Sequence, residues 1–119
     1  MSRFDTVLIA NRGEIALRIQ RACRELGLKT VAVASEQDRE SPHAREADRL
    51  VLLKDAKGYL DAPALVAAAK EGGAQAIHPG YGFLSENPDF AESVGKAGLV
   101  WIGPPPATMR AVGNKIAAK

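Results

Sequence analysis

The sequence predicts a doubly wound α/β domain on a five-stranded parallel sheet, and three observations support that prediction. Short apolar runs rich in β-branched residues alternate with segments of helical periodicity. Glycine, asparagine or aspartate stands at most junctions between them, where turns and helix caps need such residues. A chain of 119 residues that is 46% hydrophobic and 25% charged has the composition of one globular domain.

The strands are predicted from apolar runs of the kind that parallel sheets bury on both faces. These runs cover residues 6–10, 30–34, 50–53, 74–78 and 99–102. The alternation of strands and helices predicts right-handed crossovers, and we expect the strand order 3-2-1-4-5. In that order the chain reverses direction between strands one and four, and ligands of such sheets bind at the carboxyl ends of the strands that flank the reversal.

The helix boundaries are predicted from capping residues. Asn11, with Glu14 three residues later, is expected to cap the first helix, which ends at Gly27. The other predicted helices are a short one over residues 42–48, one capped by Asp61 and ended by Gly72 and Gly73, and one capped by Asn87 and ended by Gly98. After three prolines, Met109, Val112 and Ile116 again recur at helical spacing.

Composition excludes several classes of protein. A net charge of +2 is too small to indicate nucleic-acid binding, and the single cysteine, Cys23, excludes an internal disulfide framework and a cysteine zinc cage. We expect Cys23 to be a small buried hydrophobe. No apolar run approaches the ~18 residues that span a bilayer, and the first residues lack the apolar core of a signal peptide. We therefore expect a cytoplasmic protein, with the mitochondrial matrix as the alternative for a eukaryotic source, although no transit peptide is seen.

The predicted reversal point selects two loops, residues 11–13 and residues 78–86. The first has one glycine where a dinucleotide fingerprint needs three, and the sequence before Lys115 is no GxxxxGK[ST] phosphate loop. A receiver-type signalling domain would need an acidic pair after the first strand, where this chain has Asn11 and Arg12, so Asp55 is unsupported as a signalling residue.

The second loop is the more informative. Gly80 and Gly82 stand on either side of Tyr81, so the backbone can approach a ligand closely while the ring offers a flat apolar face. Glu86 can accept hydrogen bonds or hold a basic partner. Spacing alone fits structural roles equally well: Tyr81 as a lid on the sheet edge, and Glu86 at the start of the next helix, where a negative charge meets the helix dipole. His78, before a proline at a strand end, is expected to be a hydrogen-bonded structural histidine.

Two strings of residues resemble the amino-terminal domain of biotin carboxylase: IANRGEIA at residues 9–16 and IHPGYGFLSEN at residues 77–87. Residues 102–104 and 113–115 follow in family order. The resemblance runs from Val7 to Lys119 and covers only the start of the family's catalytic unit, which occurs in carboxylases of acyl-CoA thioesters, pyruvate and urea. It implies a Rossmann-like, pre-ATP-grasp domain over residues 1–103, with residues 104–119 starting a linker or helix toward an ATP-grasp domain outside the chain.

The resemblance also implies a ligase reaction, in which ATP and bicarbonate carboxylate biotin on a carrier protein. The catalytic residues and the acids that hold Mg²⁺ would lie beyond Lys119, so no catalytic or metal residue is assigned here and the chain alone is expected to be inactive. Lys115 resembles the lysine that contacts the ATP phosphates. Tyr81, Gly82 and Glu86 resemble residues on the biotin side of the cleft.

Arg21 and Glu25, four residues apart on the first helix, resemble charged positions at the family's homodimer contact, or they form an ordinary exposed ion pair. The implied partners are the remainder of the enzyme, a biotin carboxyl carrier and a carboxyltransferase, with no nucleic acid or membrane. Two features depart from the family: residues 112–115 read VGNK where many relatives have MGDK, and residues 53–59 are shorter than is common.

Two other functions stay open on the sequence. The first is a self-standing nucleotide-binding or protein-interaction module, in which three exposed arginines of the first helix dock a partner: Arg18, Arg21 and Arg24. Those arginines are also explained as a solvated helix face. The second is a nucleotide-dependent oxidoreductase, which the missing glycines disfavour.

Overall fold

The sheet has the predicted topology. The computed structural model describes residues 4–54, 58–82 and 84–103, together with residues 109 and 111. Its strands are β1 (Thr6–Ile9), β2 (Lys29–Ser35), β3 (Arg49–Leu53), β4 (Ala76–His78) and β5 (Val100–Trp101). They form one five-stranded sheet of order β3-β2-β1-β4-β5 in which every neighbouring pair is parallel. The α/β class and the strand order 3-2-1-4-5 are confirmed.

Four α-helices connect the strands: α1 (Gly13–Glu25), α2 (Pro42–Glu46), α3 (Ala62–Gly72) and α4 (Pro88–Lys96). The caps predicted for α3 and α4 are confirmed. The side chain of Asp61 accepts a hydrogen bond from the Ala64 amide at 3.1 Å, and that of Asn87 accepts one from the Phe90 amide at 3.1 Å. Two short 3-10 turns, Glu36–Asp38 and Gly58–Leu60, complete the connections.

The start of α1 corrects one prediction. Its N-cap is Arg12, in an extended conformation and with no side-chain cap, so the assignment of Asn11 as the capping residue is wrong. The side chain of Asn11 bonds instead to main-chain atoms of a loop distant in sequence. A tertiary contact has displaced a local capping pattern.

The short helix α2 ends at Glu46 rather than at residue 48 as predicted. Asp48 is tied to β2 instead: its amide donates to the Thr30 carbonyl at 3.1 Å, and its carboxylate accepts from the Thr30 amide at 2.8 Å. These two bonds draw residue 48 into register with the sheet and out of the helix.

Alternating residues of the central strand β1 serve the two faces of the sheet. Leu8 belongs to a core with the residues of α3 and α4, whereas Val7 and Ile9 pack with Ala16 and Cys23 of α1. Cys23 is buried, as predicted, and burial raises the pKa of its thiol. Among the described helices, none is long and apolar enough to cross a membrane.

Several predictions fall on residues that the structure does not describe. Asp55 and Lys115 lie outside the described residues, as do Val112 and Ile116 of the predicted final helix. Residues 109 and 111 are helical.

Candidate functional site

The two loops selected by the sequence meet where β1 and β4 end. Ile9 is paired with His78 in the sheet, and the Ala10 amide donates to the His78 carbonyl at 2.9 Å. The chain following β1 therefore leaves the sheet beside the chain following β4. This is the reversal point of the strand order, where parallel α/β sheets place their ligands.

Asn11 joins these two loops. Its Nδ2 donates to the carbonyl oxygens of Pro79 at 2.9 Å and Tyr81 at 2.5 Å, and its Oδ1 accepts from the Arg12 amide at 2.9 Å. The residue is 1% exposed. The amide thus makes three hydrogen bonds to main-chain atoms, one in the first loop and two in the second.

The backbone of the second loop turns through left-handed conformations at both glycines. Gly80 and Gly82 each have φ +68°, a conformation that other residues rarely adopt. The Gly80 amide donates to Nδ1 of His78 at 3.1 Å, and burial lowers the pKa of that imidazole. His78 thus has the structural, hydrogen-bonded role expected for it.

Tyr81 is held by its backbone and not by burial of its ring. The residue is 74% exposed, so the ring is not packed as a lid on the sheet edge. With His78 and Gly80 it borders a groove of about 570 Å³ beside α1, whose other lining residues include Ile15, Ile19, Leu26 and Ile102. The arrangement presents a flat aromatic face to solvent above a mostly apolar groove.

The other two predicted residues of this wall are also exposed. Gly82 lies in the loop, and Glu86 lies in the turn of residues 84–86 that precedes α4. Glu86 precedes Asn87, the N-cap of α4, by one residue, and the acidic residue in the first turn of that helix is Asp89. The structure therefore places the exposed residues Tyr81, Gly82 and Glu86 between β4 and α4.

A second polar cluster, which no sequence pattern predicted, supports the first loop from the end of β2. Arg12 makes a two-pronged contact with Asp38, Nε to Oδ2 at 2.7 Å and Nη2 to Oδ1 at 2.9 Å. The Tyr59 hydroxyl lies 3.3 Å from the same carboxylate and 3.4 Å from Nε2 of the buried His43. His43 Nδ1 accepts weakly from the Gly13 amide at 3.4 Å.

The charges of this cluster are set by its contacts. The hydrogen bond from Arg12 holds the pKa of Asp38 below its usual value. Burial, together with the nearby Asp38 carboxylate, raises the pKa of Tyr59 to about 12. Burial lowers the pKa of His43. At neutral pH, Asp38 is therefore ionised, while Tyr59 and His43 are neutral.

Arg21 and Glu25 lie one turn apart on the exposed side of α1. In the described part of the chain, no hydrogen bond or ion pair joins them. Arg24, one of the three arginines considered for partner binding, donates to the Glu46 carbonyl of α2 at 3.1 Å. Across the described ranges, no group of three or more His, Cys, Asp or Glu side chains could hold a metal ion.

Comparison with known proteins identifies the domain. The family model described as "Biotin carboxylase, N-terminal domain" matches residues 3–109. The chain is 58% identical over 117 residues to the biotin carboxylase of Allochromatium vinosum, and the match covers 96% of this chain and 26% of that protein. It is 50% identical to the mitochondrial pyruvate carboxylase of Rattus norvegicus, covering 95% of this chain and 10% of that protein.

Solved structures agree in fold. The complete multifunctional pyruvate carboxylase of Rhizobium etli superposes with a TM-score of 0.93 at 43% identity, covering 98% of this chain and 12% of that one. The biotin carboxylase domain of a thermophilic 2-oxoglutarate carboxylase, bound to bicarbonate, gives a TM-score of 0.90 at 44% identity, covering 94% of this chain and 26% of that one. The chain thus spans about a quarter, or less, of the relatives it matches. It belongs to the family of biotin carboxylase N-terminal domains.

Proposed function

We propose that this domain forms one wall of the site at which ATP and bicarbonate carboxylate carrier-bound biotin, as the amino-terminal part of a longer ligase chain. The observation that carries the proposal is the exposed ring of Tyr81 at the reversal point of the sheet, on a loop held from both β1 and β4. Because the chain spans 26% of its biotin carboxylase relative, we expect it to be inactive by itself.

The residues of the wall have distinct roles in the proposal. Tyr81 offers an aromatic face to the biotin ring system, and Gly82, with no side chain, lets the ligand approach the backbone. The exposed Glu86 orders that wall or accepts a hydrogen bond. Biotin supplies the nitrogen that receives the carboxyl group. The role of the wall is to bind and orient biotin, because no general acid, general base or nucleophile of the reaction is assigned to this loop.

Lys115 is proposed to contact the ATP phosphates. A fixed positive charge there would offset the charge that moves during phosphoryl transfer. The acids that hold Mg²⁺ and the catalytic residues are assigned to the rest of the enzyme, which follows residues 1–103 and the connecting residues 104–119. In this proposal the other partners are a biotin carboxyl carrier and a carboxyltransferase. Arg21 and Glu25 belong to a homodimer contact. The enzyme works in the cytoplasm.

The test uses a chimera in which this chain replaces the matching part of the Allochromatium vinosum biotin carboxylase. Tyr81→Ala is expected to raise the KM for biotin, and Lys115→Ala the KM for ATP. Tyr81→Phe should retain most activity because it keeps the ring. The matched control for Lys115→Ala is Lys70→Ala, since Lys70 lies in the last turn of α3, shortly before β4 begins, whereas the reversal point is where β1 and β4 end.

Activity equal to that of the unsubstituted chimera in both Tyr81→Ala and Lys115→Ala would contradict these site assignments. Calorimetry with ATP on the 119-residue chain is expected to show no tight binding. A tight, stoichiometric complex would instead favour a self-standing nucleotide-binding module.

A further inference from the structure

Asn11 is a buried polar side chain for which the proposed reaction gives no reason. It is 1% exposed and stands two residues after the last residue of β1, directly after the apolar run of residues 6–10. It does not cap α1, whose N-cap is Arg12. A polar group is costly to bury unless it is hydrogen-bonded, so the explanation for Asn11 lies in its partners.

Those partners fix the amide in one orientation. Pro79 and Tyr81 both offer carbonyl oxygens, which only the NH₂ end of the amide can satisfy, and Arg12 offers an N–H, which only the oxygen can accept. A reversed amide would place its oxygen against two carbonyls. Asn11 therefore binds the main chain of the second loop at two points, one on each side of Gly80.

The loop also packs directly on this amide. A Cβ on Gly80 would lie 2.6 Å from Nδ2 of Asn11 and 3.0 Å from its Cγ, closer than real Cβ contacts. Asn11 thus fills the space beneath Gly80 while holding the carbonyls on either side of it. The turn of residues 79–81 thus packs against the asparagine side chain and is hydrogen-bonded to it.

Asn11 is itself held in place from the other side. The next residue, Arg12, is anchored by its paired contact with Asp38, and the Gly13 amide faces His43. The first loop, which carries Asn11, is therefore held by residues that follow β2, and these contacts do not involve the second loop.

We propose that Asn11 is the positioning residue of the biotin-facing loop: its amide fixes the main chain of residues 79–81 and thereby aims the exposed Tyr81 ring and Gly82. The inference rests on the function proposed above. Since the ring of Tyr81 is not held by burial, its direction depends on the backbone beneath it. Asn11 acts through that backbone.

Asn11→Asp is the sharpest test, because it keeps the shape and the acceptor for Arg12 but places a carboxylate oxygen, in place of the donating NH₂ group, against the two carbonyls. In the chimera with the Allochromatium vinosum enzyme we expect the KM for biotin to rise about tenfold. The KM for ATP should stay within about twofold, since the ATP contacts are assigned elsewhere. Asp61→Ala, which removes the cap of α3, is the control for loss of stability alone and should leave the KM for biotin unchanged.

A second measurement needs only the 119-residue chain. In ¹H–¹⁵N NMR spectra, Asn11→Asp is expected to move the amide signals of Gly80, Tyr81 and Gly82 while those of β3 stay in place. If Asn11→Asp does not fold, Asn11→Ser, which retains one hydroxyl donor, is measured in its place.

The outcomes separate the two proposals. An unsubstituted chimera that folds but does not carboxylate biotin contradicts the proposed function and, with it, the biotin assignment of the loop. An active chimera whose Asn11 variants keep the KM for biotin overturns only the role of Asn11. Unmoved signals of residues 80–82 overturn it as well.

Discussion

Replacing Gly80 by alanine probes the contact between the two loops, and Gly82 supplies a matched control. Both glycines have φ +68°, so alanine is strained to the same degree at either position. They differ in what the new methyl group meets. At Gly80 it would lie 2.6 Å from Nδ2 of Asn11, whereas at Gly82 no atom of the described residues lies within 4 Å.

The magnitudes follow from that difference. A left-handed conformation costs a residue with a side chain about 1–2 kcal/mol, which is the whole effect expected for Gly82→Ala. Gly80→Ala must also push the Asn11 amide away from two carbonyls. Each lost hydrogen bond costs about 0.5–1.5 kcal/mol, so the expected loss for Gly80→Ala is about 2–5 kcal/mol in total.

The free energy of unfolding of the 119-residue chain, from urea denaturation followed by far-ultraviolet circular dichroism, measures both losses. In an Asn11→Ala background most of the extra cost of Gly80→Ala should disappear, because Nδ2 and Cγ are gone and only the Cβ of residue 11, 3.0 Å from the new methyl group, remains. Equal losses of unfolding free energy for the Gly80 and Gly82 variants would contradict the inference that the second loop packs on Asn11.

Three further predictions concern stability. Acidification from about pH 7 to about pH 5 should lower the free energy of unfolding, since burial lowers the pKa of His43 and His78 and the unfolded chain takes up protons first. The free energy of unfolding should change by at most about 1.4 kcal/mol per pH unit for each histidine. In urea titrations at each pH, His43→Gln should make this dependence on pH less steep. Phe90→Ala should cost about 3–5 kcal/mol and shift the fluorescence of Trp101, whose ring meets Phe90 edge-on at 5.5 Å; unchanged emission would contradict that packing. Asp61→Ala should cost about 1 kcal/mol in the same denaturation assay through the lost cap of α3, and no loss would contradict the cap.

The elements that the sequence predicted correctly depend on local signals. The apolar runs became the five strands because β-branched residues suit a sheet buried on both faces. Asp61 and Asn87 cap their helices because each bonds to an amide three residues away, within the same short segment. The strand order is a common one for doubly wound sheets, in which strands alternate with helices, and it needs no particular side chain.

The prediction for Asn11 failed because two arrangements competed for one side chain. The local pattern with Glu14 indicated a helix cap, but the carbonyls that Asn11 binds are 68 and 70 residues away in sequence. The same holds for Arg12, which meets Asp38 across 26 positions, and for Tyr59, which meets the same carboxylate across 21. An asparagine directly after a buried strand was the only sequence signal, and a capping role explained it equally well.

The sequence alone was enough to predict the fold class, the strand order, most of the caps and the resemblance that the family comparison confirmed. It also located the loop that carries Tyr81, Gly82 and Glu86, because the ends of strands at a reversal point follow from topology. How that loop is held, and how exposed its side chains are, became apparent only in the folded domain. Periodicity and capping act over a few residues, whereas the hydrogen bonds of Asn11 form only after the sheet has brought β1 and β4 side by side.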